Sequence, residues 1–273
     1  MRVFTSPSRL GLFVYLFALF GISFCAVTLK PESAPAAVDS SAAVQIGAPQ
    51  SAVDMDTDTE LAEASASVKP NPVDARLVGQ LAKGMRHIID TRDRGQWAYC
   101  GEILDDSEQD KVSHAIAYQL VSNMQSLGAD FSPWGVASTM YNESRFDACA
   151  LGLGPRSWAY QKGLLRKPRT HISHASEDVL RVVGSEQARR RFALSGFDLG
   201  LCQVLSRFYR DETAETMISL VGSVRICVLE MKARADHYKT STPWLYWRGS
   251  ATRWYHGKIR RWAKRMGAPR GEV

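Results

Sequence analysis

The sequence predicts an all-α domain, and three observations carry the prediction. Apolar residues recur at spacings of three and four in several separate stretches after residue 72. Alternating runs of Val, Ile and Thr, the mark of half-buried strands, are missing. Residues 73–273 also form a segment long enough to bury one sizeable core, hiding roughly 70% of the surface that its unfolded form exposes.

The elements follow in order. Leu77, Leu81, Met85 and Ile88 mark a first helix. Val112, Ile116, Leu120 and Met124 mark a second, which opens after Ser107 with an acid-rich first turn. A short helix within 133–147 carries Val136 and Met140 on its inward stripe, and a further helical segment is expected over 176–191. Met217, Leu220, Val224, Cys227 and Met231 form a long stripe. A last helix, from about 250 to 266, turns Tyr255, Ile259, Trp262 and Met266 to one face and Arg253, Arg260, Arg261 and Lys264 to the other. Bundled helices of this kind are the natural fold class.

Charge divides the chain unevenly. Residues 1–30 carry a net charge of +3, residues 31–72 carry −6, and the remainder carries +9. Residues 10–29 hold no charge at all, which at about 1.5 Å per residue spans the roughly 30 Å core of a bilayer. The expectation is a signal-anchor, with a cleaved signal peptide as the alternative. Arg2 and Arg9 put residues 1–9 in the cytoplasm and the domain outside it, on the periplasmic or extracytoplasmic face. Residues 30–72, rich in Ala, Ser, Pro and acids, read as a disordered linker with a reach of about 35 Å.

The first chemical signal is Glu143, which falls three residues after Met140 on the inward stripe of its helix. The pattern alone admits two accounts. The carboxylate pairs with Arg145 or reaches water, or it is held in a partly apolar cleft where desolvation lets it donate a proton near neutral pH. No phosphate-cradling GxxxxGK[ST], dinucleotide GxGxxG, nucleophile-elbow GxSxG or CxxC is present, so no cofactor is expected. His171 and His174 have no third ligand nearby in sequence, and no metal is expected.

Three segments carry a resemblance. Glu143-Ser144-Arg145-Phe146-Asp147 ends one helix, Gly200-Leu201-Cys202-Gln203-Val204 is expected to open another, and Tyr246-Trp247-Arg248-Gly249 precedes a last helix with Tyr255. In that order they resemble the lytic transglycosylase domain of the lysozyme superfamily, over residues 115–266. Cys202 stands where the family has Met, Trp247 and Arg248 stand for Asn and Ala, and residues 150–196 look like an insertion flanking the cleft. The resemblance implies a lysozyme-like fold and cleavage of the β-1,4 bond between N-acetylmuramic acid and N-acetylglucosamine in peptidoglycan. Glu143 would be acid and then base, and the products would be 1,6-anhydro sugars. Ser144 would orient Glu143, Gln203 would bind substrate, and Tyr246 and Tyr255 would line the cleft. Asp147 and Asp198 are candidate second acids for a hydrolysing muramidase. A peptidoglycan-binding scaffold without activity is the other alternative.

Two expectations complete the reading. From Arg248 onward, eight basic residues face Glu272 alone, with Trp247, Trp254 and Trp262 among them. Outside the cytoplasm this suits wall polymers, lipid headgroups or stem-peptide carboxylates, or a plain solvated helix face, and no nucleic acid. The partners expected are peptidoglycan strands and the inner membrane through the anchor. Cys100, Cys149, Cys202 and Cys227 allow three pairings, and their placement favours Cys100 with Cys149 and Cys202 with Cys227.

Overall fold

The computed structural model describes residues 72–167 and 173–273. The expected cytoplasmic end, membrane segment and linker up to residue 71 lie outside the described residues, as does His171. Among the described residues no helix is long and apolar enough to cross a membrane.

Helices dominate, and their caps explain where they start. The Asp74 carboxylate accepts from the amides of Arg76 and Leu77 to open α1 (Ala75–Arg92). Asp105 and Glu108 form a reciprocal capping box at the start of α2 (Asp106–Ser126). The expected stripes are inward: Leu81, Met85 and Ile88 of α1 and Ile116 and Leu120 of α2 are fully buried. Burying each such side chain contributes about 1.5–3 kcal/mol. The helix α3 (Pro133–Ser144) begins with Pro133, whose missing N–H costs nothing there. It is buried nearly all round, from Trp134 to Tyr141.

The later helices are more broken than the periodicity suggests. Residues 150–196 include α4 (Leu153–Gln161), α5 (Ser176–Gly184) and α6 (Glu186–Arg191), the last two interrupted at Ser185. The long stripe from Met217 to Met231 is likewise two helices, α7 (Ala214–Ile218) and α8 (Leu220–Tyr238). Ser219 lies between them in extended conformation, and its hydroxyl accepts from the Gly222 amide to start α8. A short 3₁₀ turn, Pro243–Tyr246, then leads to α9 (Arg253–Arg265), which packs on α3 and α1 with Tyr255, Ile259 and Ala263 inward.

The fold is not purely helical. Ala98–Tyr99 (β1) pairs antiparallel with Glu102–Ile103 (β2), and Asp198–Leu199 (β3) with Val204–Leu205 (β4). The segment from Gly200 to Gln203 is therefore the turn of a hairpin, and the expected helix start there is corrected. Gly200 has φ +77°, and a Cβ on it would sit 2.4 Å from the Ser223 hydroxyl and 2.5 Å from the Met217 carbonyl. The turn thus lies flat against α8, where only glycine fits. Both favoured disulfides form, with Cα separations of 5.0 Å for Cys100–Cys149 and 5.6 Å for Cys202–Cys227. The second ties the hairpin turn to α8.

Candidate active site

The end of α3 supplies the acid. Beyond Ser144 the chain adopts two successive left-handed residues, Arg145 (φ 57°) and Phe146 (φ 62°), a conformation that costs about 1–2 kcal/mol for each side-chain-bearing residue. Tertiary contacts offset that strain. Arg145 forms an ion pair with Asp93 at 2.9 Å, Tyr141 donates to the same carboxylate at 3.1 Å, and the fully buried Phe146 ring lies 5.9 Å from Trp97 and 5.5 Å from Tyr141. Arg145 is thereby committed to Asp93 and does not pair with Glu143 or Asp147.

Glu143 is left facing a cleft of about 1160 Å³, with its own side chain only 12% exposed. Its Oε1 accepts from the Tyr255 hydroxyl at 2.6 Å and from Asn142 Nδ2 at 2.9 Å. The Arg248 guanidinium stands 3.8 Å from Oε2 and 5.7 Å from the centre of the Tyr255 ring. Burial, then the charge and hydrogen bond of Glu143, push the Tyr255 phenol far above its ordinary range. Tyr255 therefore stays protonated and serves as a permanent donor to the acid.

The other expected residues divide. Gln203 lines the cleft from the hairpin turn, and its amide nitrogen donates to the carbonyls of Ala150 and Gly200, both at 2.9 Å. Only its amide oxygen remains to meet a ligand. Ser144 lines the cleft, but its hydroxyl donates back to the Met140 carbonyl at 3.1 Å. It does not orient Glu143; Asn142 and Tyr255 do. Tyr246 does not line the cleft at all. Its ring stacks on Tyr238 at 3.9 Å, and the following Trp247 and Arg248 face the cleft in its place.

The two candidate second acids also differ. Asp147 is 5% exposed, and its Oδ1 accepts from the amides of Cys100 at 3.0 Å and Cys149 at 3.1 Å. Burial raises it to about 6, opposed by those amides, Ser173 and Arg156. It braces the disulfide-linked loops. With Cys100 and Cys149 it gathers three groups of metal-ligand type, but the two sulfurs are joined to each other and hold no thiolate for a cation. Asp198 lies on the cleft wall. Burial raises its carboxyl first, then the charge of Glu143, while Arg248 opposes both. Asp198 thus feels the charge of Glu143, and Arg248 offsets it.

From residues 150–196, Arg156, Tyr160, Ser173 and His174 line the cleft, and the Tyr160 hydroxyl meets His174 Nε2 at 2.6 Å. Trp158 instead packs edge-on against Phe192 at 5.6 Å, as ordinary core. Three cleft features escape the motif pattern: Asn142, Arg248 as the partner of Glu143, and Phe208, which is 60% exposed on the cleft rim. The signal for Phe208 is an aromatic directly after a polar Ser-Arg pair, with which it forms a short 3₁₀ turn. Comparison with known protein families, characterised proteins and solved structures gives no match for this chain.

Proposed function

We propose that this domain has a lysozyme-like helical fold and cleaves the β-1,4 bond between N-acetylmuramic acid and N-acetylglucosamine in peptidoglycan. The observation that carries the proposal is Glu143: an acid at the end of a buried helix, nearly covered, hydrogen-bonded by a tyrosine that cannot take its proton, and facing a cleft of about 1160 Å³. Such a group can protonate the glycosidic oxygen as positive charge builds at the anomeric carbon. As carboxylate, it then draws the proton from the muramic 6-hydroxyl, which is held beside the anomeric carbon at high effective concentration. That closes a 1,6-anhydro ring. The sugar-stacking rim would be Phe208 and Trp247, and the disulfides suit an oxidising compartment such as the periplasm.

Asp198 favours a second account, hydrolysis in the manner of a muramidase. It shares the cleft with Glu143, and the two carboxyls interact electrostatically. Such a pair can divide the acid and nucleophile or base roles. Digestion of purified peptidoglycan by the full chain, read by mass spectrometry, separates the accounts. Anhydro products about 18 Da lighter than their hydrolysed counterparts support the lytic reaction, and reducing ends abolished by Asp198→Asn support hydrolysis. Strand binding without any cleavage would leave a scaffold.

A further inference from the structure

The outward face of α9 belongs to no site described so far. Arg253, Arg260, Arg261, Lys264 and Arg265 are exposed along it, with Lys258 half-buried at its edge and Trp254 63% exposed. The opposite face of the same helix is sealed into the core by Tyr255, Ile259 and Ala263. At 100° per residue the cations occupy one side, and from Arg253 to Arg265 they extend over about 18 Å. The helix contains no acid, and among the described residues none of these cations lies within ion-pair distance of a carboxylate. Arg265 and Arg92 bracket the Trp262 ring at 5.0 and 5.5 Å, which carries the positive surface on to the end of α1.

We infer that this face docks the domain on an anionic phospholipid surface. Uncompensated like charges on one helix repel each other, so a polyanion brought against them relieves that repulsion and is attracted to the face. The shape selects which one. No residue of α9 lines the cleft that Glu143 faces, so the row is not part of the groove that would take a polymer strand there. It presents instead a straight row of cations with an exposed indole at its first turn, the combination that suits headgroups and the interfacial layer beneath them. None of the row lines the cleft, so docking leaves the entrance beside Glu143 open. The inference is independent of the chemistry at Glu143.

Tryptophan emission tests it in the full chain, because all seven tryptophans lie at residue 97 or beyond and none in residues 1–96. Insertion of the apolar segment therefore adds no signal. The chain is reconstituted in vesicles of phosphatidylcholine alone, or with phosphatidylglycerol, each doped with a headgroup spin-labelled lipid. The expected result is quenching only in the anionic vesicles, relieved by about 0.5 M NaCl and mostly absent in Trp254→Phe. The triple variant Arg260→Glu, Arg261→Glu, Lys264→Glu, with near-UV circular dichroism unchanged, should lower the docked-to-undocked ratio at least about a hundredfold. Equal quenching in pure phosphatidylcholine, or quenching unaffected by the triple variant, would overturn the inference. Displacement from anionic vesicles by a soluble polyanion at equal charge would overturn it as well, in favour of a wall polymer.

Discussion

Asp147 makes stability depend on pH in an unusual direction, and the size of the effect follows from the structure. Its carboxyl is buried and raised from 3.8 to about 6 in the folded chain. In the unfolded chain it returns to the ordinary value, so between about pH 4 and 6 the folded state binds more protons than the unfolded state. Stability from this group is therefore full below about pH 4, falls as pH rises, and is lost above about pH 6. A shift of some two units corresponds to about 3 kcal/mol. Asp147→Asn keeps an acceptor oxygen for the amides of Cys100 and Cys149 but cannot ionise. Denaturant unfolding of both proteins at several values from pH 3.5 to 7.5 measures the difference, and contributions from all other acids cancel in it. The wild type should lose about 3 kcal/mol relative to the variant across that range. A difference that stays constant with pH would refute the reasoning and show that Ser173, Arg156 and the amides hold Asp147 ionised without penalty.

Four further outcomes are expected. Glu143→Gln should lower peptidoglycan cleavage by at least about 10²–10⁴-fold with strand binding retained, measured by muropeptide release and by pull-down. Tyr255→Phe removes the donor to Glu143 while keeping a ring that is fully buried, and unfolding at neutral pH should show a loss of about 1.5–3 kcal/mol. Gly135→Ala places a Cβ 2.2 Å from the Trp244 ring, so α3 must move away from the 3₁₀ turn. Calorimetry should show a cost of about 1–3 kcal/mol, and equal stability would mean that the indole can shift freely. Cys202→Ala with Cys227→Ala opens a loop with a sequence separation of 25, and the unfolding free energy should fall by about 3.5 kcal/mol in non-reducing buffer.

Much of the helical frame was legible because burial imposes a period on the sequence. Leu81, Met85 and Ile88, or Tyr255 and Ile259, face inward as their spacing requires, and the inward placement of Glu143 comes from the same rule. Features set by three-dimensional encounter were not legible. The hairpin at Gly200–Gln203 has strands of two residues each, too short to show alternation, and its turn depends on Ser223 from a distant helix. Ser219 interrupts a continuous apolar stripe with a single hydroxyl cap. Tyr246 was misplaced because its ring found Tyr238, while Arg248 gained the cleft position. Spacing along the chain does not determine which residue at or just after the end of a 3₁₀ turn faces the cleft.

The hydrogen bond between Glu143 and Tyr255 joins residues 112 positions apart, and the second of them sits on the last helix. This sets the order of events during biosynthesis. A nascent chain that has emerged only as far as α8 possesses Glu143, the hairpin and both disulfide-forming pairs, yet lacks the Tyr255 donor to the carboxylate. The surroundings of Glu143 are therefore completed only by the final helix. A chain released by a premature stop before residue 253 would keep only the Asn142 hydrogen bond to Glu143.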